Sequence, residues 1–194
     1  MSTFSRSAKG FTLIELMVTM SILGLLLVAV APGIIEWLNN TRLRNVATSV
    51  QTGLQRARME AVRRNQPVRF SLLSNACALS GSGVAWIVSL NDPSGKCTVA
   101  ASETTDPMII DRSSAAIGGG SALVTATAAD ATAATTVTFN GFGRVIDASP
   151  IARIVINNST AGSSYGNLRV DVGTGGTVRM CDPNVSDATD PRKC

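Results

Sequence analysis

The chain enters its apolar segment through Lys9-Gly10-Phe11-Thr12-Leu13-Ile14-Glu15, where a basic residue and a glycine precede an acid set among apolar side chains. From Leu16 to Ile35 no side chain is charged. At about 1.5 Å of rise per residue, a helix over this range spans the roughly 30 Å hydrocarbon core of a bilayer. The sequence therefore predicts one membrane-spanning helix near the N-terminus.

Charge on the two sides of this segment predicts its orientation. Arg6 and Lys9 lie on the amino side, and no basic cluster follows Trp37 immediately. Because basic residues are retained on the cytoplasmic side, the N-terminus is expected in the cytoplasm and the rest of the chain outside. The expected organisation is one membrane segment followed by one exported domain.

Glu15 is the functional candidate within the segment. A carboxylate at such a depth costs on the order of a few kcal/mol, so an intramembrane acid is a functional candidate by default. Cleavage of the peptide bond after Gly10 would give Phe11 a new terminal amine, with Glu15 as the fifth residue of the shortened chain. The amine and the carboxylate of neighbouring copies would then neutralise each other in lipid.

The residues from Gly10 to Leu16 resemble, position by position, the cleavage and methylation motif of type IV pilins and type II secretion pseudopilins. The resemblance implies that a prepilin peptidase cuts after Gly10 and methylates the amine of Phe11. It also implies that Glu15 sets the register of the subunits during assembly.

Further parts of the chain resemble the same family. Gly24 and Pro32 match helix-weakening positions found within the membrane segment of many members. The block from Leu54 to Val68 resembles the GspH/FimT subgroup, and so does the end of the chain, Val178 to Pro183 closing with Cys194. Members of this subgroup are minor pilins or minor pseudopilins.

The resemblance implies a structural subunit of a fibre, either a type IV pilus or a type II secretion pseudopilus. The protein would cross the bacterial inner membrane once, with its C-terminal domain in the periplasm, and then enter the fibre. Its expected partners are other major and minor pilins or pseudopilins, the prepilin peptidase and the inner membrane. Its expected position is at or near the tip, where it primes assembly. The two machines share the same N-terminal chemistry, so the residues do not distinguish them.

An ordinary secretory signal peptide is the alternative for the N-terminus. Met1 to Lys9 would form its basic region, and Ala29-Val30-Ala31 has the small-x-small cleavage pattern. Against it, the apolar run is longer than the usual signal core, and Pro32 would directly follow the cut.

The four cysteines bear on both compartment and fold. Cys77, Cys97, Cys181 and Cys194 lack the C-x-x-C spacing of zinc sites, and the chain has no histidine. In an exported domain the cysteines are expected to form disulfides. Of the three possible connectivities, Cys77 with Cys97 and Cys181 with Cys194 is favoured, because each bridge closes a local loop. Each bridge is expected to stabilise the domain by roughly 2–4 kcal/mol.

Apolar periodicity predicts that the helix continues beyond the membrane segment. An apolar stripe at steps of three and four runs through Leu43, Val46, Val50, Leu54, Ala57 and Ala61. Because Pro67 keeps Gln66 out of the α region, the helix is expected to extend from about residue 11 to residue 65. It is expected to be locally loosened between Gly24 and Pro32.

Short strands bounded by Gly, Asn, Asp, Ser and Pro are expected in the remainder. Their predicted ranges are 68–73, 84–90, 108–111, 136–140, 144–146, 151–157, 168–172 and 177–181. Asn140-Gly141-Phe142-Gly143 is expected to form a turn between two of them. The Ala/Thr/Gly-rich stretch 115–135 has strand-compatible fragments and no assigned conformation.

These elements predict an α+β, pilin-like fold. In this fold one long N-terminal helix, with its first half embedded in the membrane, packs on antiparallel β-sheet. The expected organisation is a cytoplasmic leader at residues 1–10, the membrane or fibre-core half of the helix at 11–37, and its amphipathic half at 38–66. A β-rich exported domain at 67–194 follows and ends in a disulfide-closed tail.

Catalysis is not indicated by the sequence. Without histidine the common Ser/His/Asp triads are excluded. Gly118-Gly119-Gly120 lacks the Lys-Ser/Thr continuation of a phosphate-binding loop. Asp182, Asp187 and Asp190 do not follow the spacing of an EF-hand calcium loop. No enzymatic activity, cofactor or metal is expected.

Basic side chains define the rival function, although a net charge of +4 is by itself too weak to argue for nucleic acid. Arg179, Arg192 and Lys193 cluster around the C-terminal cysteine loop, and Arg144 is a further candidate. One branch of the GspH/FimT family resembles a DNA-uptake receptor with a Gly-Arg-x-Arg motif. This chain has Gly176-Thr177-Val178-Arg179 there, without the first arginine. A pilus-associated receptor for double-stranded DNA in natural transformation is the alternative function.

Overall fold

A computed structural model of the protein describes residues 10–113, 122–158 and 166–194. One helix, α1, covers Leu13–Arg64. The strands that follow it in the described ranges are β1 Val68–Leu73, β2 Ala85–Ser89, β3 Ile109–Arg112, β4 Ala122–Thr127, β5 Thr136–Phe139, β6 Arg153–Asn158, β7 Leu168–Val172 and β8 Val178–Cys181. The chain divides into two compact units, one that ends at Leu38 and one that begins at Asn39.

The end of α1 is a left-handed cap at Asn65, whose φ is 50°. Asn65 N donates to Val62 O at 3.3 Å, and Gln66 N donates to Ala61 O at 3.3 Å. These bonds satisfy carbonyls that a helix end leaves open, and asparagine tolerates the left-handed conformation. Pro67 follows and disfavours continuation of the helix. The predicted end of the helix near residue 65 is confirmed.

The apolar stripe predicted on α1 is buried in the domain. Its members are at most 1% exposed: Leu43, Val46, Val50, Leu54, Ala57 and Ala61. Gly53 lies on the same side of the helix, where a Cβ would be 2.8 Å from ring atoms of Trp86. The Trp86 ring stacks on Phe70 with a centroid distance of 5.8 Å, and its Nε1 donates to Ser49 Oγ at 3.0 Å. Gly53 therefore lets β1 and β2 approach the helix.

The strands form two antiparallel sheets of four. The first has the order β3-β2-β1-β5, and the second has the order β4-β6-β7-β8. Phe70 of β1 lies opposite Val88 of β2 and Val137 of β5, and Val170 of β7 lies opposite Ile154 of β6. These side chains share one buried core with the α1 stripe. The predicted α+β fold, one long helix packed on antiparallel sheet, is confirmed, and the strands are divided between two sheets.

Both disulfides have the pairing that local loop closure favours. Cys77 and Cys97 are bonded with a Cα–Cα distance of 5.9 Å, and Cys181 and Cys194 with a distance of 5.0 Å. The first bridge packs against a small apolar cluster around Leu73, Ile87 and Ile109. The second bridge closes the C-terminal tail.

Strand β4 lies in the Ala/Thr/Gly-rich stretch to which the sequence assigned no conformation. Its Val124 and Ala126 are buried, opposite Ile156 and Ile154 of β6. The remaining part of the predicted low-complexity stretch at 115–121 lies outside the described residues. Tertiary pairing thus forms a strand from alanines and threonines whose own strand preference is weak or mixed.

The predicted strand at 144–146 is wrong. Asn140 Oδ1 accepts hydrogen bonds from the amides of Phe142 and Arg144, each at 3.0 Å. The turn that begins at Asn140 therefore includes Arg144. Val145 makes only an isolated bridge to Phe139, and its own amide donates to Thr174 O at 3.1 Å. The backbone bonds of this segment are therefore divided between two neighbours, and no ladder forms.

Candidate functional site

The motif at the start of α1 is built around a helix cap. Thr12 precedes the first helical residue, and its Oγ1 accepts a hydrogen bond from Glu15 N at 3.3 Å. Thr12 O accepts the amide of Leu16 at 3.2 Å. Thr12 is thus the N-cap, and Glu15 occupies the third helical position, where a carboxylate also suits the positive end of the helix dipole.

This cap was missed by the sequence analysis, which gave Thr12 no role. The signal was present, because a threonine followed three residues later by a glutamate before an apolar run is typical of a helix start. One consequence is that Glu15 has a local structural reason to be an acid in addition to its predicted assembly role.

Gly10 and Phe11 lie just before the cap. Phe11 is 84% exposed, and a Cβ built on Gly10 would meet no atom within 4 Å in the described part of the chain. The predicted leader before Gly10 lies outside the described residues. No packing within the described chain therefore requires glycine at position 10.

The first half of α1 is apolar and uncovered. By length and composition it is able to cross a membrane. From Phe11 to Leu38 the large apolar side chains are all exposed, from 84% at Phe11 to 40% at Leu38. A helix that is apolar on every side needs lipid or other protein around it.

Polar and helix-weakening residues within this half are accommodated by the helix. Thr19 Oγ1 donates to Leu16 O at 2.9 Å, and Ser21 Oγ donates to Met17 O at 2.8 Å, so both hydroxyls are bonded without leaving the helix. The helix assignment continues through Gly24 and Pro32. The weakening role of these two residues stays a prediction.

Near its other end, α1 carries an ion cluster at the domain surface, centred on the buried Glu60, which is only 5% exposed. Its carboxylate lies 2.6 Å from Arg63 Nη2, 3.0 Å from Arg64 Nε and 3.5 Å from Arg56 Nη2. Burial raises the pKa of Glu60, but hydrogen bonds from Arg63 and Arg64 outweigh it and hold the pKa below its ordinary value. Arg64 Nη2 also contacts Glu103 at 2.9 Å, which ties the helix to the loop before β3.

The three C-terminal basic candidates meet at the disulfide-closed tail. Arg179 Nη2 donates to Pro191 O at 3.0 Å and to Lys193 O at 2.6 Å. Arg192 Nη2 lies 2.7 Å from Asp190 Oδ2, and Lys193 Nζ donates to Ser186 O at 3.0 Å. Hydrogen bonding to the Arg192 side chain lowers the pKa of Asp190 to about 2. Each of these cations thus makes a bond that shapes the tail.

Arg144, the fourth candidate, lies elsewhere. It is exposed and precedes Val145, whose amide bonds to Thr174 in the turn between β7 and β8. That turn leads into the first residue of β8, Val178, whereas the tail follows its last residue, Cys181. Arg144 and the tail therefore lie at opposite ends of β8.

Arg153 and Arg169 are basic residues that the sequence analysis missed. Arg153, Asp171 and Arg179 are direct cross-strand neighbours on β6, β7 and β8, so they share the outer face of the second sheet. Arg169 lies two residues before Asp171 on the same face and contacts it at 2.8 Å. The signal for Arg169 was the alternation of charged and apolar residues along β7, whereas β6 carries no charged residue after Arg153.

The described residues were compared with the side-chain groups that hold metal ions in proteins. No group of three or more Cys, Asp or Glu side chains in the described ranges is arranged to hold a metal ion. Polar clusters in the described ranges include ion pairs and turn contacts around Glu60, Asp106, Asp171 and Asp190. The site of interest is thus the N-terminal motif with its apolar helix, together with the basic surface of the second sheet and tail.

Comparison with known proteins adds two family matches and two similar structures. Residues 46–192 match the family described as Type II transport protein GspH, and residues 5–31 match the prokaryotic N-terminal methylation motif. Two crystal structures of the type IV minor pilin FimU from Pseudomonas aeruginosa are similar to the chain. One has 17% identity and a TM-score of 0.46 over 76% of this chain and 96% of FimU. The other has 14% identity and a TM-score of 0.45 over 74% and 99%.

A search of curated protein sequences found no match. The methylation motif and the long helix on antiparallel sheet define the class as pilin-like proteins, which are structural components rather than enzymes. Because the GspH match extends over most of the sequence, the chain belongs to the GspH family.

Proposed function

We propose that this protein is a minor pilin or pseudopilin that assembles through α1 into a type IV pilus or a type II secretion pseudopilus. The observation that carries the proposal is the exposed apolar surface of α1 from Phe11 to Leu38, most of which lies within the matched methylation motif. Such a surface needs lipid before assembly and the helices of neighbouring subunits after it. The proposed position is at or near the tip, where the subunit primes assembly and links tip subunits to the major subunit.

The proposed processing step begins at Gly10. A prepilin peptidase cuts the peptide bond after Gly10 and methylates the new amine of Phe11. A Cβ built on Gly10 would contact no atom within 4 Å, so packing in the described chain does not explain the glycine. A peptidase that needs a small residue at the cleavage position would explain it. The amine of Phe11 then pairs with Glu15 of an adjacent subunit, so that neither charge stays unpaired in an apolar environment.

The proposed location is the inner membrane, with the domain that begins at Asn39 in the periplasm until it enters the fibre. Arg6 and Lys9 before the apolar segment support this orientation. The disulfides Cys77–Cys97 and Cys181–Cys194 support an oxidising compartment for the domain.

The processing proposal is tested by the intact mass of the protein recovered from membranes of its native host. The parent should lack residues 1–10 and carry one added methyl group. Gly10→Asp places a charge at the cut and should leave the precursor mass, whereas Gly10→Ala keeps a small residue and serves as the matched control. A Gly10→Asp variant with the parent's mature mass would contradict cleavage at this bond.

A receptor for double-stranded DNA is the second candidate function. The observation that favours it is the row of Arg153, Asp171 and Arg179 with Arg169 beside it, next to the tail that carries Arg192 and Lys193. One carboxylate among three arginines leaves this face of the sheet positive. Such a surface suits the phosphate backbone, which dominates DNA affinity.

The DNA candidate is tested by measuring binding of the fragment 39–194, with disulfides formed, to a DNA duplex across a salt series. The candidate predicts affinity that falls steeply with salt, and a further loss when Arg153, Arg192 and Lys193 are replaced by alanine. Arg56→Ala, which removes a cation from the Glu60 cluster, is the matched control. Absence of binding at low salt would exclude this function.

A further inference from the structure

An apolar surface lies where the end of α1 meets the turn after β5. It consists of Met59, Val62 and Phe142, which are 59%, 51% and 83% exposed, and we call it the Phe142 patch. A Cβ built on Gly143 would lie 3.2 Å from Val62 Cγ2, so the turn rests on the helix beside Val62. Met59 precedes Val62 by three residues and lies on the same side of the helix. Exposed apolar side chains brought together on a domain surface are frequently part of a binding site.

The turn that presents Phe142 is held in one conformation. Asn140 Oδ1 accepts the amides of Phe142 and Arg144, and Gly143 N donates to Asn140 O at 2.8 Å. Arg58 Nε on α1 donates to Gly143 O at 3.2 Å, which fastens the turn to the helix. An aromatic side chain on a fixed backbone loses little conformational entropy when it is covered, which is the property of an interface anchor.

The surroundings of the Phe142 patch are basic. Arg58 Nε is bonded to the carbonyl of Gly143, directly after Phe142, and the exposed Arg144 follows Gly143. Glu60, the acid nearest in sequence on α1, is buried with its carboxylate bound to arginines. A partner that covers this patch is therefore expected to present carboxylates around an apolar contact.

The size of the patch limits what the partner can be. Three side chains cover much less than the roughly 800 Å² per partner that a stable complex of free proteins needs. Such a contact forms efficiently only between domains that something else already holds together, because tethering raises the effective concentration. Helices packed in a common fibre would provide that tether.

We infer that the Phe142 patch docks onto the globular domain of a neighbouring, different subunit in the same fibre, at an apolar hollow bordered by acidic side chains. This inference rests on the proposed function, since it requires a fibre. The inferred contact is made by the domain that begins at Asn39, and it is separate from the proposed pairing of Phe11 and Glu15.

Phe142→Ala in the full-length protein tests the contact in the native host. Because Phe142 is 83% exposed, the variant should be processed and should accumulate in membranes as the parent does. Its amount in sheared fibres, relative to the membrane pool, should fall at least about fivefold, as expected when an anchor residue is lost. Leu123→Ala, at an apolar residue of β4 that is 49% exposed, is the matched control and should incorporate normally. Equal incorporation of the two variants would overturn the inference.

A charge test and a crosslink identify the partner's chemistry. Arg144→Glu should lower incorporation, and Arg144→Lys, which keeps the charge, should restore it; equal incorporation of the two would overturn the acidic border. A photoreactive phenylalanine analogue at position 142 should crosslink to another subunit's domain, at a peptide with Asp or Glu beside apolar residues. A crosslink to a second copy of this chain, or none in fibres that contain the protein, would overturn the inference. Absence of the parent itself from fibres would instead contradict the proposed function.

Discussion

Gly53 on α1 lies so close to Trp86 on β2 that a Cβ on the glycine would be 2.8 Å from two ring atoms of the indole. The same Cβ would lie 2.9 Å from the ring of Phe70. The indole cannot move away freely, because its Nε1 is hydrogen-bonded to Ser49. The fold thus keeps a glycine in the middle of a helix, where it costs about 1 kcal/mol relative to alanine, in order to seat two aromatic rings.

Gly53→Ala should therefore lower the free energy of unfolding of the domain by about 1–2 kcal/mol, since overpacking of the rings outweighs the gain in helix propensity. The measurement is urea unfolding of the fragment 39–194, which is one compact unit. Thr52→Ala, at the neighbouring exposed position, is the control and should change stability by no more than about 0.5 kcal/mol. A Gly53→Ala fragment as stable as the parent would show that the rings accommodate the methyl group.

Glu60→Gln should destabilise the domain by about 1–3 kcal/mol at pH 7, because it removes the charge that accepts hydrogen bonds from Arg63 and Arg64. The pKa of Glu60 is lowered in the folded protein, so its contribution is fully present above the ordinary value of 4.5 and is lost as the pH falls through the folded value. The stability difference between parent and variant should thus shrink as the pH falls below 4.5 and through the lowered pKa of the folded protein. Unfolding curves at several pH values measure it, and a difference that does not shrink at all as the pH is lowered from 7 would contradict the ion cluster.

The sequence predicted elements whose signals are local. The stripe from Leu43 to Ala61 repeats with the helix period, and Pro67 marks the end of the helix, so α1 was predicted to within two residues at its ends. Strand β1 was predicted with its observed bounds because β-branched and aromatic residues lie between a proline and a serine.

Features that depend on distant parts of the chain could not be predicted. β4 is a strand because β6 pairs with it; its valine and threonines favour a strand and its alanines do not, so its own sequence is ambiguous. No local sequence pattern indicates that the strands divide into two sheets. From the sequence, Gly53 is only a residue with low helix propensity; its packing against Trp86 is visible only in the structure. Likewise, Arg153 and Arg169 become neighbours of Arg179 only once the strands are in register.

Arg179→Ala should loosen the C-terminal tail without unfolding the domain, because the guanidinium joins β8 to the carbonyls of Pro191 and Lys193. Both hydrogen bonds are exposed and together contribute on the order of 1 kcal/mol, so amide exchange at residues 182–193 should accelerate by about fivefold. Hydrogen exchange followed by mass spectrometry measures the change. Arg153→Ala removes a cation from the same sheet face and is the control that should leave tail exchange unchanged. Tail exchange at the parent's rate in the Arg179→Ala protein would mean that the disulfide alone orders the tail.

Glu15→Val tests the central claim most directly, through the amount of mature protein in sheared fibres of the native host. Glu36→Val is the matched control. It makes the same exchange at Glu36, which is the other acidic residue described in the unit that ends at Leu38. The account predicts that both variants are cleaved to the mature mass, and that only Glu15→Val is absent from fibres because Phe11 of its neighbour loses its carboxylate partner. Incorporation of Glu15→Val at the level of the parent and of Glu36→Val would contradict assembly through this pair.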